Sequence, residues 1–316
     1  MKATVKIVKG MKSCTLSDIL FPVEIRDNPM PSNKEYSKQV VGQLNGGDFL
    51  LNACSDVYEL VPNQEIFPAI EQLLREAGIK FSVEYMHINN VRFYSEIQIT
   101  DKDYAYTMEG TTDEIFPMFK GQHSYNGKTM YGIIFGYFRL VCENGLTIPL
   151  EEMKQYNLSI GGKHTISIQK SLEQLKALIN VFKVDALQIT KDIVAQFEML
   201  AQSKPESVET RITNVLKAAG IKPQENSKFS TMEYIKAAAK YEAELPNLGY
   251  NGVINDWLIY NAVNQYINDN ALNIKTPEVR QTTDSLALEY MLKQVKLKLD
   301  ANAPEQLEEA LVLVEK

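Results

Sequence analysis

Cysteine, histidine and tryptophan are scarce in this chain of 316 residues, which holds three, three and one of them. Cys14, Cys54 and Cys142 are odd in number and far apart, so no disulfide framework and no CxxC metal pair follows. Reduced, mostly buried thiols and a cytoplasmic location are the expectation. No run approaches the ~18 apolar residues of a membrane span. Lys2, Lys6, Lys9 and Lys12 near the start are not followed by the apolar core of a secretory signal. No membrane association is therefore expected. A charge excess of useful size is missing too: 33 Lys and Arg face 40 Asp and Glu, for a net charge of -7. That balance excludes a histone-like polycation, and 45% hydrophobic residues exclude a disordered tail.

The common catalytic patterns are lacking as well: HExxH, GxSxG, GxGxxG and the EF-hand loop. Gly161-Gly162-Lys163-His164 has the look of a phosphate loop, but the first Gly of that motif is missing. His164 also stands where Ser or Thr would meet magnesium, so a β-turn is expected. His87 continues the apolar face of Phe81, Val83 and Tyr85, while His123 and His164 sit in polar surroundings. Nothing fixes their convergence, and neither a metal site nor a cofactor is expected. The carboxylate pairs Asp101/Asp103, Asp113/Glu114 and Glu151/Glu152 flank strands or turns and read as a solvated rim. No partner marks a general acid or base, so no catalytic residue is assigned and the reading leans away from an enzyme.

What the chain does contain divides in two. Residues 1–168 are rich in β-branched and aromatic side chains broken by Gly and Asn, which favours strands. Residues 169–316 carry apolar residues at helical spacing. The expected fold class is α+β: an antiparallel sheet with packed helices, followed by a helical half that packs on it or extends from it. Within the first part, Ile79–Thr100 alternates cleanly about Asn89-Asn90, the mark of a hairpin. Asn126-Gly127 supplies a second turn before a strand over 128–141. Asn33–Leu44 and Asn63–Ala77 read as helices, although Pro68 moves the expected start of the latter towards Ile66. In the second part, helices are expected over 171–201, 208–219, 231–244, 255–267 and 284–299, with a short one at 304–314. Ser230 opens one of them as a capping box with Glu233, and Gln224–Lys228 is a link. Trp257, Tyr260, Asn261 and Asn264 share one helix face and read as core.

One constellation carries a functional reading. Lys120, His123, Tyr125, Lys128, Tyr131, Tyr137, Arg139, Lys163 and His164 interleave cationic or basic groups with rings. On an open sheet, rings stack bases while cations hold phosphates, at about 1–3 kcal/mol per stacked base. Half-buried sheet tyrosines with edge charges are the simpler alternative.

Four blocks resemble a known family. Cys54-Ser55-Asp56-Val57-Tyr58 with Val61-Pro62-Asn63-Gln64-Glu65-Ile66-Phe67 is similar to its opening motif. His123-Ser124-Tyr125-Asn126-Gly127-Lys128 follows, with Tyr-Asn in place of the usual dipeptide and a shifted register. The third block is Arg139-Leu140-Val141-Cys142-Glu143-Asn144-Gly145-Leu146. The last, Trp257-Leu258-Ile259-Tyr260-Asn261-Ala262-Val263-Asn264-Gln265-Tyr266, resembles the family's closing motif. In this order they resemble the phage- and plasmid-borne group known as domain of unknown function 932. The resemblance implies an accessory protein of DNA replication or recombination in a bacterial host cell, non-enzymatic, binding or annealing single-stranded DNA. The expected contact residues are Lys120, His123, Tyr125, Lys128, Tyr131, Arg139 and Lys163. A protein-binding module acting on a host or phage protein is the alternative, a metal-dependent nuclease is a third reading, and a homo-oligomer is compatible with either binding role.

Overall fold

The computed structural model describes residues 11–129, 131–139, 145–146, 159–162, 168–222, 230–269 and 277–314. The chain has antiparallel sheets in its first half and helices in its second, as an α+β protein. By contacts it forms two units, Met1–Tyr106 with Glu114–Thr190, and Thr107–Asp113 with Lys191–Lys316. The expected division at 168/169 marks the start of a long helix, whereas the contact boundary falls inside that helix.

The first unit opens with β1 (Met11–Cys14), the single turn α1 (Leu16–Ile19) and a three-stranded sheet. That sheet is β2 (Val23–Asp27), β3 (Lys38–Leu44) and β4 (Gly47–Cys54). The helix expected over Asn33–Leu44 is thus corrected to one 3-10 turn at Lys34–Tyr36 followed by β3. Asn45 and Gly46, with φ of 54° and 78°, form the two-residue turn whose twist suits antiparallel strands. Val40 and Val41, β-branched and buried, pack better on a pleated surface than along a helix.

α2 (Asn63–Glu76) begins at Asn63 and tolerates Pro68 within its second turn, so its start is earlier than Pro68 suggested. The main sheet follows with β5 (Phe81–Ile88), β6 (Arg92–Ile99), β7 (Tyr106–Thr107), β8 (Glu114–Ser124), β9 (Tyr131–Arg139), β10 (Gly145–Leu146) and β11 (Ser159–Gly162). The principal order is β1-β5-β6-β8-β9-β10, and β11 pairs with β9 beside β10. Asn89 and Asn90 both take positive φ and close the β5–β6 hairpin. At Gly161-Gly162 the chain is strand, paired with Gly132 and Tyr131, rather than the expected turn.

Register makes the faces simple. Phe81 pairs with Ile99, Arg92 with Ser124 and Gly121 with Ile133, so odd-numbered residues of β5, β6, β8 and β9 share one face. α2 covers part of that face: the Phe67 ring meets Tyr85 edge-on at 5.7 Å, and Tyr85 donates to Glu71 at 2.5 Å. Gly121 is required there, because a Cβ would lie 2.4 Å from Ser95 Oγ. Phe182, on α3 (Ile168–Gln202), covers another part by packing on Phe119 and Phe135. Tyr137 also donates to Thr190 of α3 at 3.1 Å. The even-numbered face carries the cross-strand row Glu84, Glu96 and Lys120.

The second unit contains the rest of α3, then α4 (Val208–Ala218), α5 (Thr231–Glu244), α6 (Asp256–Asp269) and α7 (Pro277–Val314). α7 joins two stretches that the spacing separated. Ser207 and Ser230 cap α4 and α5, accepting from Thr210 and Glu233 amides at 3.2 Å each. Gly220, at φ 71°, stops α4. α6 is the core helix: Trp257, Tyr260, Asn261 and Asn264 are all buried. The expected link Gln224–Lys228 lies outside the described residues.

Candidate nucleic-acid interface

β8 and β9 place the expected contact residues according to the parity of their numbers. His123, Tyr131, Tyr137 and Arg139 belong to the odd face, whereas Lys120 lies on the opposite one. Three of the residues do converge. The His123 ring lies 5.2 Å from Tyr125 and 6.3 Å from Tyr131, each edge-on, and Phe93 and Phe21 close around Tyr125. They converge in the interior. His123, Tyr125 and Arg139 have 0% exposure and Tyr131 has 5%. The open stacking surface expected of these four is therefore corrected to core, because a ring buried on both faces offers neither to a base.

Tyr125 shows what the cluster does instead. Its hydroxyl accepts from the Asn63 amide at 2.8 Å and so satisfies an orphan donor in the first turn of α2. Burial pushes the Tyr125 phenol well above its ordinary pKa, although the Asn63 bond pulls the other way. The buried Tyr131 phenol is raised likewise by burial. Lys128 is exposed in the turn and Lys120 is half-buried; Lys163 and His164 lie outside the described residues. His87 is half-buried, and its Nδ1 accepts from the Asn90 amide at 3.1 Å. Its pKa is lowered, first by burial and then by Lys12. Among the described residues no group of three His, Cys, Asp or Glu side chains could hold a metal ion.

The carboxylate rim also needs correction at Asp113, which is fully buried in the second unit. It accepts from Tyr250 Oη at 3.0 Å and from Trp257 Nε1 at 3.3 Å. Gly249, at φ 84°, permits the close approach of residues 107–113, since a Cβ there would stand 2.9 Å from the Gly110 carbonyl oxygen. Glu114 remains half-exposed, 3.5 Å from Lys102.

An open polar cleft lies elsewhere in that second unit. It has a volume of about 420 Å³. Ser207, Thr210, Arg211 and Asn214 enter it from α4 and its cap, at spacings that put them on one helix face. Tyr290, Gln294, Leu297 and Lys298 enter from α7 at the same kind of spacing. Glu206 also lines it, so the charged lining is exposed Lys298, the largely buried Arg211 and one carboxylate.

A buried network holds the cleft together. Asp256, the first residue of α6, is fully buried and accepts from Ser203 Oγ at 2.7 Å. Arg211 Nε lies 3.0 Å from Asp256 Oδ1, close enough for an ion pair but without the alignment of a directed hydrogen bond. Lys298 Nζ donates to the Lys204 carbonyl at 3.0 Å. Burial raises the Asp256 pKa, opposed by the Ser203 bond and by the charges of Arg211 and Lys298. Arg211 is thus anchored through Nε, leaving the two Nη groups of its fork without a bond to another described residue. Fixed guanidinium and ammonium donors beside hydroxyls suit an anionic, acceptor-rich ligand.

Sequence reasoning missed this cleft because its residues come from helices some 80 positions apart. The available signal was the polar i, i+3, i+4, i+7 face of Ser207 to Asn214.

An antiparallel sheet with packed helices, joined to a helical unit carrying a polar cleft, defines an α+β protein whose architecture alone names no reaction. The family model called domain of unknown function (DUF932) matches residues 50–292, and the chain belongs to that family. No curated protein and no solved structure matches it. The matched stretch takes in both β8 and β9 and the α4 side of the cleft with Tyr290, and it ends before Gln294, Leu297 and Lys298.

Proposed function

We propose that the protein is a non-enzymatic accessory factor of DNA replication or recombination, of the phage- or plasmid-borne kind. In this reading it binds single-stranded nucleic acid and takes up the phosphates in the α4–α7 cleft. The supporting observation is the pairing of Arg211 and Lys298 with the hydroxyl lining of an open cleft. Arg211 is held by buried Asp256, so its fork is ordered before a ligand arrives.

The test is fluorescence anisotropy with a labelled single-stranded oligonucleotide across salt concentrations. Binding should weaken steeply with salt, and Lys298→Ala should flatten the log–log slope by about 0.7, the share of one single-strand phosphate. Lys128→Ala, which removes an exposed hairpin cation, should leave the slope alone. Absence of binding at about 50 mM salt, where phosphate contacts are strongest, rejects the reading.

A second reading, a module that binds a host or phage protein, draws on exposed apolar side chains around the three-stranded sheet. Met30 is 88% exposed, Val57 69% and Leu50 63%. Recovery of a partner that survives nuclease treatment would favour it.

A further inference from the structure

We infer that the cleft takes one unstacked nucleobase together with its phosphate, and thereby selects single strands over duplex. This rests on the nucleic-acid reading above and adds the identity of the second ligand group.

The lining is richer than a phosphate needs. Phosphate oxygens call only for donors, which Arg211, Lys298, Ser207 and Thr210 supply. Asn214 and Gln294, one from each helix, add amides that each offer an accepting carbonyl beside a donating NH2, so they can meet both kinds of group on one ligand. Tyr290 adds an aromatic ring and Leu297 an apolar contact. A ligand with a flat apolar face and an edge bearing both donors and acceptors uses the whole of this lining. A nucleobase has both.

The side chains are also uncommitted. No hydrogen bond links the Tyr290 hydroxyl or the Asn214 or Gln294 amide to another described residue. Tyr290 is half-buried, so its ring is held without being closed off. A volume of about 420 Å³ lies in the range of small-ligand sites, roughly 300–1,000 Å³, and exceeds the need of a lone phosphate. In a duplex the base edge is already paired and both faces are stacked, so no base can enter. Selection for single strands then follows from shape rather than charge.

The experiment compares three probes of equal length and label in the anisotropy assay: oligo(dT), an abasic oligonucleotide with the same phosphates, and a blunt duplex. Oligo(dT) should bind about 5- to 150-fold more tightly than the abasic probe, the range of one stacked base. Tyr290→Leu should erase that margin while keeping the salt slope, and Tyr290→Phe should retain it. Asn214→Ala, on the exposed side of α4, should narrow the margin even if Tyr290→Leu fails to fold. Equal affinity for oligo(dT) and abasic probes, with salt dependence intact, overturns the base site and leaves phosphate binding standing. No binding of any probe at low salt overturns both.

Discussion

Asp113 and Asp256 are acidic residues with no exposure, and each is held by donors from a distant part of the second unit. Asp113 joins Tyr250 to Trp257, so its removal takes an acceptor from two buried donors at once. Asp113→Ala should cost about 2–4 kcal/mol, read as a lower urea midpoint with little change in m-value. Asp113→Asn, which keeps an acceptor, should cost less. None of this was visible in the sequence, where Asp113-Glu114 resembles any charged turn and its partners lie more than 130 positions away. The split of the expected contact set was legible in part. Lys120 has an even number and His123 an odd one, so a single strand must send them to opposite faces, whereas the face of Tyr131 and Arg139 on the next strand follows only from the β8–β9 register. Alternation says which side chains share a face but not what covers it: the odd face lies under α2 and Phe182, and the even face buries Phe116, Met118 and Phe138 as well.

Helices with clear caps were read well, and the helical second half follows the spacing of Leu175, Leu178, Phe182 and Phe197. The error over Asn33–Leu44 arose because a short apolar run fits either period. The deciding signal, Asn45-Gly46, stands just beyond the run. In the main sheet, β6 and β8 meet at Ser95 and Gly121 with no space for another carbon. Ser95 Oγ is buried and makes no hydrogen bond to a described residue, so Ser95→Ala should be close to neutral. Gly121→Ala should destabilise, and Ser95→Ala should recover part of that loss. A coupling of about 0.5–3 kcal/mol in the double-mutant cycle is expected; simple additivity would mean the strands yield at this point.

For the molecule as a whole, Asp256 links folding to pH. Its pKa is raised chiefly by burial, so the native state holds this proton more tightly than the unfolded chain does. Its contribution is therefore complete at low pH and declines as pH rises through the folded value. The stability of wild type relative to Asp256→Asn should fall as pH rises above about 4, the ordinary aspartate value, measured by urea unfolding at each pH. A constant difference would show that Arg211 fully offsets the burial. The two-part character of the chain was plain from its composition, but its true partition was not, because contacts assign residues 107–113 to the helical unit. That small stretch has a genetic consequence. A fragment starting near residue 191 would express the helices without the heptapeptide that fills their interior at Met108 and Asp113. Recombination that swaps the carboxy-terminal half between relatives should thus succeed only when the donor's loop ahead of β8 travels with it.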